Sequence, residues 1–253
     1  MVSLNGRIVL ITGASAGIGA ACARSFATAG ARLILAARRT DRLKQLAAQL
    51  NTEVYVQSLD VRNHSAVKEF VAALPEEWRA IEILVNNAGL AQGFDKLHEG
   101  EIDDWETMID TNVKGLLYVS RAVIPGMVER GRGHVINIGS IAGHEVYPGG
   151  NVYCATKHAV DGLTKGMRID LVDTPVRVST VDPGLVETEF ALVRFHGDQD
   201  QAKGTYQGYK PLEADDIADA VVWVASRPDH VQVAEVIMLP AAQASCMVLD
   251  KKE

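Results

Sequence analysis

Thr12-Gly13-Ala14-Ser15-Ala16-Gly17-Ile18-Gly19 is the stretch on which the fold of this chain turns. A short apolar run, 7–12, leads into it. An Ala-rich helical pattern, 16–29, leads out of it and stops at Gly30, a residue suited to the C-terminal cap. In a strand–turn–helix unit three glycines have separate uses. One makes the tight turn, one lets backbone approach a pyrophosphate, and one lets helix pack on strand. The helix N-terminus then presents free N–H groups and a partial positive charge to the phosphates. Gly13-Ala14-Ser15-Ala16-Gly17 also spells G-x-S-x-G, the elbow that carries a hydrolase nucleophile. Its place on the first strand, and the further glycine at Gly19, favour the phosphate turn.

Outward from this turn the pattern alternates. Short runs at 32–37, 54–59, 81–86, 134–139 and 176–181 read as further buried strands, and 233–239 as a weaker seventh. Helical patterns at 41–50, 64–74, 102–130, 153–171 and 213–226 separate them. Pro125 is expected to kink or end the longest of these. Alternating strands and helices imply right-handed crossovers and a parallel sheet covered on both faces. The expectation is an α/β fold: one doubly wound domain over 1–253, with a seven-stranded parallel sheet.

Composition narrows the function classes. The chain has 253 residues, 47% hydrophobic and 23% charged, which is ordinary for a globular domain. A net charge of −7 argues against a nucleic-acid or anionic-membrane partner. It leaves room for a few placed arginines around one small anion. Three scattered cysteines suit neither a disulfide framework nor a zinc site, and the histidines lack metal-binding spacing, so no metal is expected. No apolar run reaches the roughly 18 residues of a membrane span, and a cytoplasmic setting is the expectation.

Two features point to chemistry. The second strand ends in Arg38-Arg39, where a carboxylate would bind the ribose hydroxyls of NAD. Two guanidiniums suit a 2′-phosphate instead, and so NADP(H). Tyr153 and Lys157 lie four apart in a helical stretch and share a face. A neighbouring ammonium favours the phenolate, so the pair can exchange a proton with a carbonyl or alcohol oxygen. Asn86-Asn87-Ala88-Gly89 closes strand four, Ser140 follows strand five, Asn112 sits mid-helix, and Asp182-Pro183-Gly184 ends strand six.

Together and in order, these motifs resemble the short-chain dehydrogenase/reductase family over essentially the full length. The resemblance implies Tyr153 as acid/base, Lys157 on the nicotinamide ribose, Ser140 on the substrate carbonyl and Asn112 anchoring a relay water. It implies cofactor contacts from Gly13, Ser15, Gly17, Ile18 and Gly19 and from Arg38 and Arg39. Asp60 and Val61 would flank the adenine, and Asn87 the adenosine ribose. Pro183, Val186 and Thr188 would lie at the nicotinamide end. Asp104–Asn112, Tyr147–Tyr153 and Pro183–Phe190 look like a branch of NADP-dependent enzymes that oxidise small 3-hydroxy acids or reduce short acidic aldehydes. Reductases of sulfoacetaldehyde are similar in chemistry. The family also implies a homotetramer joined through 102–130 and 153–171.

A small anionic substrate needs a cation. The stretch 187–211 reads as a substrate lid, and Arg194 is the expected carboxylate or sulfonate ligand. Lys203, Tyr206 and Lys210 are its competitors. A reductase of neutral carbonyls, a non-catalytic NADP-binding regulator and the serine hydrolase remain alternatives.

Overall fold

The computed structural model describes residues 2–252. Seven parallel strands form one sheet in the order β3-β2-β1-β4-β5-β6-β9. These are β1 (Ile8–Thr12), β2 (Arg32–Ala37), β3 (Val54–Ser58), β4 (Ile81–Asn86), β5 (Gly133–Ile138), β6 (Val176–Pro183) and β9 (Glu235–Met238). The order reverses between β1 and β4, the switch point where such sheets open a crevice beyond their carboxyl ends. All seven expected strands are present, within two residues of their expected ends.

The helices are α1 (Gly17–Thr28), α2 (Thr40–Ala47), α3 (His64–Ala72), α4 (Ile102–Ile109), α5 (Leu116–Glu129), α6 (Asn151–Asp170), α7 (Phe190–Arg194), α8 (Gln199–Gly204) and α9 (Ala214–Ala225). One apolar layer packs α1, α2 and α9 on the sheet through Phe26, Leu43, Ile217 and Val221. The small face of α1 (Ala20, Ala21, Ala23) is buried in that layer. The opposite layer seats α3 and α5 through Phe70, Val119, Val123 and Met127. Strands buried on both faces read as continuous apolar runs for this reason.

The expected helix 102–130 differs from the structure in two ways. A π-type turn at Asp110–Gly115 separates α4 from α5. Gly115 lies so close to Val61 that a Cβ there would meet its Cγ2 at 2.6 Å. Nor does Pro125 end the helix, which continues to Glu129. Val119, Val123 and Met127 anchor that face in the core, which outweighs the one backbone bond that proline removes.

The stretch 187–211 is not irregular throughout. Short strands β7 (Val186–Glu187) and β8 (Leu212–Glu213) pair at its base, and α7 and α8 form between them.

Candidate active site

The glycine turn follows from its neighbours. Gly13 (φ 66°) and Gly17 (φ 52°) occupy the left-handed region that favours glycine. A Cβ on Gly13 would meet Ala88 Cα at 2.8 Å, and one on Gly19 would overlap the Asn87 side chain. Asn87 clamps the turn: its Nδ2 donates to Thr12 O (2.9 Å) and Gly13 O (3.2 Å), and its N–H to Thr12 Oγ1 (3.1 Å). Ala16 leaves the first turn of α1 without a side-chain cap, so its N–H groups face the crevice. Ser15 Oγ accepts from Arg39 Nε (3.2 Å) and has no histidine partner among the described residues, which removes the base a serine hydrolase needs.

Beyond β2, Arg38 is exposed and makes no ion pair among the described residues. Arg39 and Arg42 converge on one carboxylate, Glu189, at 2.8 and 2.6 Å. The two guanidiniums hold the Glu189 carboxyl below the usual range. Arg42 and Glu189 escaped the sequence reading. Arg42 stands one helical turn after Arg39, which was the available signal; Glu189 gave none. Asp60 is engaged by Arg62, whose Nη2 lies 2.6 Å from Oδ2, and Val61 is buried under Gly115.

A cleft of about 690 Å³ runs from the glycine turn to the C-terminal tail. Of the expected residues, Gly13, Gly17, Ile18, Arg39 and Asn87 line one end. Ser140, Tyr153, Lys157, Pro183, Val186 and Arg194 line the cleft as well, and Thr188 lies beside Gly17. Ser15, Gly19, Arg38, Asp60 and Val61 stand outside this lining. Asn112 lies behind it, buried on the π-type turn: its Oδ1 accepts from Leu90 N (2.9 Å), and its Nδ2 donates to Leu90 O (2.8 Å) and Thr156 Oγ1 (3.0 Å). π-type turns recur at functional sites, and this one sets a polar side chain against the loop after β4.

At the inner end Tyr153, Lys157 and Ser140 meet. Tyr153 is buried. Burial pushes its phenol well up, with Tyr147 adding to the rise, while Arg194 and Ser140 oppose it. Lys157 Nζ donates to Ile138 O (3.0 Å) and stands 5.9 Å from the Tyr153 ring centre. Burial lowers the Lys157 ammonium to about 8. The expected depression of the tyrosine by this lysine is therefore not found: desolvation of the phenolate dominates. Ser140 Oγ donates to Pro183 O (3.3 Å) and accepts from Ala142 N (3.1 Å).

Arg194 forms the other half of this pocket. Its guanidinium carbon lies 5.0–5.6 Å from the ring centres of Tyr153, Phe190, Tyr147 and Phe94. Nη2 donates to Tyr147 Oη (2.5 Å), and Nε is buried with no partner. No carboxylate pairs with it among the described residues. Of its competitors, Lys203 and Lys210 are exposed and outside the cleft. Tyr206 lines the cleft but donates its hydroxyl to Val186 O (2.9 Å). The tail also went unread: Gln243, Cys246 and Leu249 line the cleft, and Gln243 Oε1 accepts from Leu185 N (3.0 Å). Its mixed composition carries no periodic signal.

Comparison with known proteins agrees with this geometry. The short chain dehydrogenase family model matches residues 7–198. The chain belongs to this family. It is an oxidoreductase with a Rossmann-like fold. It is 52% identical to an NADP-dependent 3-hydroxy acid dehydrogenase of Salmonella typhi over 238 residues, 94% of this chain and 96% of the relative. It is 46% identical to sulfoacetaldehyde reductase 2 of Chromohalobacter salexigens, over 96% and 98% of the two chains. The closed form of serine dehydrogenase complexed with NADP⁺ superposes with a TM-score of 0.93 at 48% identity, over 97% and 100%. Among the described residues no helix is long and apolar enough to cross a membrane.

Proposed function

We propose that this enzyme moves hydride between NADP(H) and a small anionic 3-hydroxy acid or short acidic aldehyde. One observation carries the reading: Arg194, a guanidinium with a buried, unpartnered Nε and no acid beside it among the described residues, stands over the ring of Tyr153. A buried donor left without a partner is costly, and a guanidinium matches a carboxylate or sulfonate. Relatives whose names carry 3-hydroxy acids and sulfoacetaldehyde support the same class.

The residues fit the cofactor. The glycine turn and uncapped α1 suit a pyrophosphate, and Arg38, Arg39 and Arg42 suit a 2′-phosphate. When bound, the nicotinamide supplies or accepts the hydride. Arg194 and Tyr147 hold the substrate acid, and Ser140 donates to the carbonyl oxygen as negative charge develops there. Tyr153 gives its proton to that oxygen in reduction. A phenol raised by burial is fully protonated at neutral pH, which suits this direction. Lys157 holds the nicotinamide ribose, and Asn112 fixes the Leu90 loop behind it. The stretch 187–211 acts as the lid that carries Arg194.

Arg194→Ala tests the reading. KM for malonic semialdehyde should rise about 100-fold, while neutral aldehydes of like size keep theirs. A uniform loss across both classes would show that Arg194 only supports the lid. A tetramer through α4–α5 and α6 is supported by exposed Ile109, Leu117 and Ile169 on those helices; a monomer in light scattering would refute it.

A further inference from the structure

We propose that His196 is a positioning residue: its bond to Asp104 latches the segment that carries Arg194 onto the loop after β4, and so sets the affinity for the substrate's acid group. This rests on the role given to Arg194 above. His196 lies just beyond α7, two residues after Arg194, and has φ 52°. It is the one non-glycine residue in the left-handed region among the described residues. α7 ends there in a paired turn: His196 N–H donates to Val193 O (3.2 Å) and Gly197 N–H to Leu192 O (2.8 Å). In such a turn glycine is the usual residue at the left-handed position that His196 fills. Here the glycine stands one place later, at Gly197. A side chain kept where the backbone resists it points to a task for that side chain.

The task is visible at Asp104, on the first turn of α4. His196 Nε2 lies 3.0 Å from Asp104 Oδ2. The Asp104 side chain is 11% exposed and pairs with no other cation among the described residues. A carboxylate only accepts, so Nε2 carries the hydrogen. The same Oδ2 packs on the backbone of Gly93, where a Cβ would meet it at 3.0 Å. Gly93 in turn donates its N–H to Arg194 O (3.0 Å). One carboxylate thus joins α4, the loop after β4 and the end of α7. The next residue of that loop, Phe94, meets the Phe195 ring edge-on, with ring centres 6.0 Å apart, and its own ring centre is 5.6 Å from the Arg194 guanidinium carbon. Two bonds, one at Arg194 O and one at His196, therefore fix the backbone from which the guanidinium reaches into the pocket. The imidazole is 56% exposed, so the pair adds little to global stability and acts on local geometry.

His196→Gly removes the pair and relieves the backbone, so a residue that merely ended the helix could be replaced without loss. The latch predicts instead that KM for an acidic aldehyde rises about 10-fold, while kcat and the KM of a neutral aldehyde of like size stay within about 3-fold. Asp104→Asn should move the same KM the same way. The double variant should be no worse than His196→Gly alone, since one pair can be broken only once. His196→Lys keeps a donor long enough to reach Asp104 and should recover most of the affinity. Amide hydrogen exchange gives a readout that needs no substrate: the Gly93 N–H should exchange about 10-fold faster in His196→Gly and in Asp104→Asn. If Arg194→Ala failed to separate acidic from neutral substrates, the substrate reading would fall, and faster Gly93 exchange would still uphold the latch. Unchanged Gly93 exchange would overturn the proposal. So would an unmoved KM for acids in His196→Gly, in an enzyme whose Arg194→Ala variant does discriminate. Equal losses for acidic and neutral substrates would overturn it too, and leave His196 a residue of lid folding.

Discussion

Arginine is used at both ends of the cleft, under opposite conditions. At the cofactor end Arg39 and Arg42 share Glu189, with side chains 46%, 47% and 42% exposed. Water and salt screen that cluster, and its guanidiniums can trade one anion for another at little cost. At the substrate end Arg194 is walled by four aromatic rings and has no acid beside it among the described residues. There an anion would meet a partly buried guanidinium whose Nε has no partner. The first environment suits a cofactor that must bind and leave; the second suits discrimination between acidic and neutral substrates.

Tyr153→Phe separates binding from chemistry at the inner end and carries the largest expected effect. The ring that faces Arg194 at 5.0 Å remains, while the proton donor is lost. Turnover should fall by more than about 100-fold, the low end for general acid–base catalysis. KM for an acidic aldehyde should hardly change. If KM rose with the loss of turnover, the Tyr153 hydroxyl would be part of the anion site, and the division between the two functions would break.

Arg38→Asp probes the outer end and should act more weakly. Arg38 is exposed and makes no ion pair among the described residues, so on the proposed reading it would contribute one screened charge to the 2′-phosphate. KM for NADPH should rise roughly 10-fold while that for NADH stays level, and 0.5 M salt should narrow the gap. Equal change for both cofactors would remove Arg38 from the phosphate site and leave Arg39 and Arg42 to hold it.

The contrast between the two ends also marks what could be read from the chain. The glycine turn, Tyr153 with Lys157, and Arg38-Arg39 are local patterns, where spacing alone fixes geometry. Arg194 was reachable because its stretch offered few cations. The π-type turn at Asp110–Gly115 was not, since it answers to Val61 and Leu90, distant in sequence. Glu189 was invisible for the same reason: its partners stand nearly 150 residues earlier. The tyrosine's raised pKa could not be foreseen either, because desolvation depends on the closed pocket of Tyr147, Phe190 and Arg194 rather than on the Y-x-x-x-K spacing.

Glu189→Gln makes the smallest prediction, and its pH dependence is what gives it force. The carboxyl's pKa is depressed from 4.5 by Arg39 first and Arg42 second. A depressed carboxyl stabilises the fold above its unfolded pKa and stops doing so as pH falls through the folded value. Both partners are nearly half exposed, so the effect at pH 7 should be under about 1 kcal/mol. Melting temperatures of the wild type and Glu189→Gln should therefore differ slightly at pH 7 and converge below pH 4.5. High salt should bring them together at pH 7 as well. A gap that persists in acid and in salt would mean that Glu189 is held by more than its two arginines. The outer cluster would then share the rigidity of the Arg194 pocket.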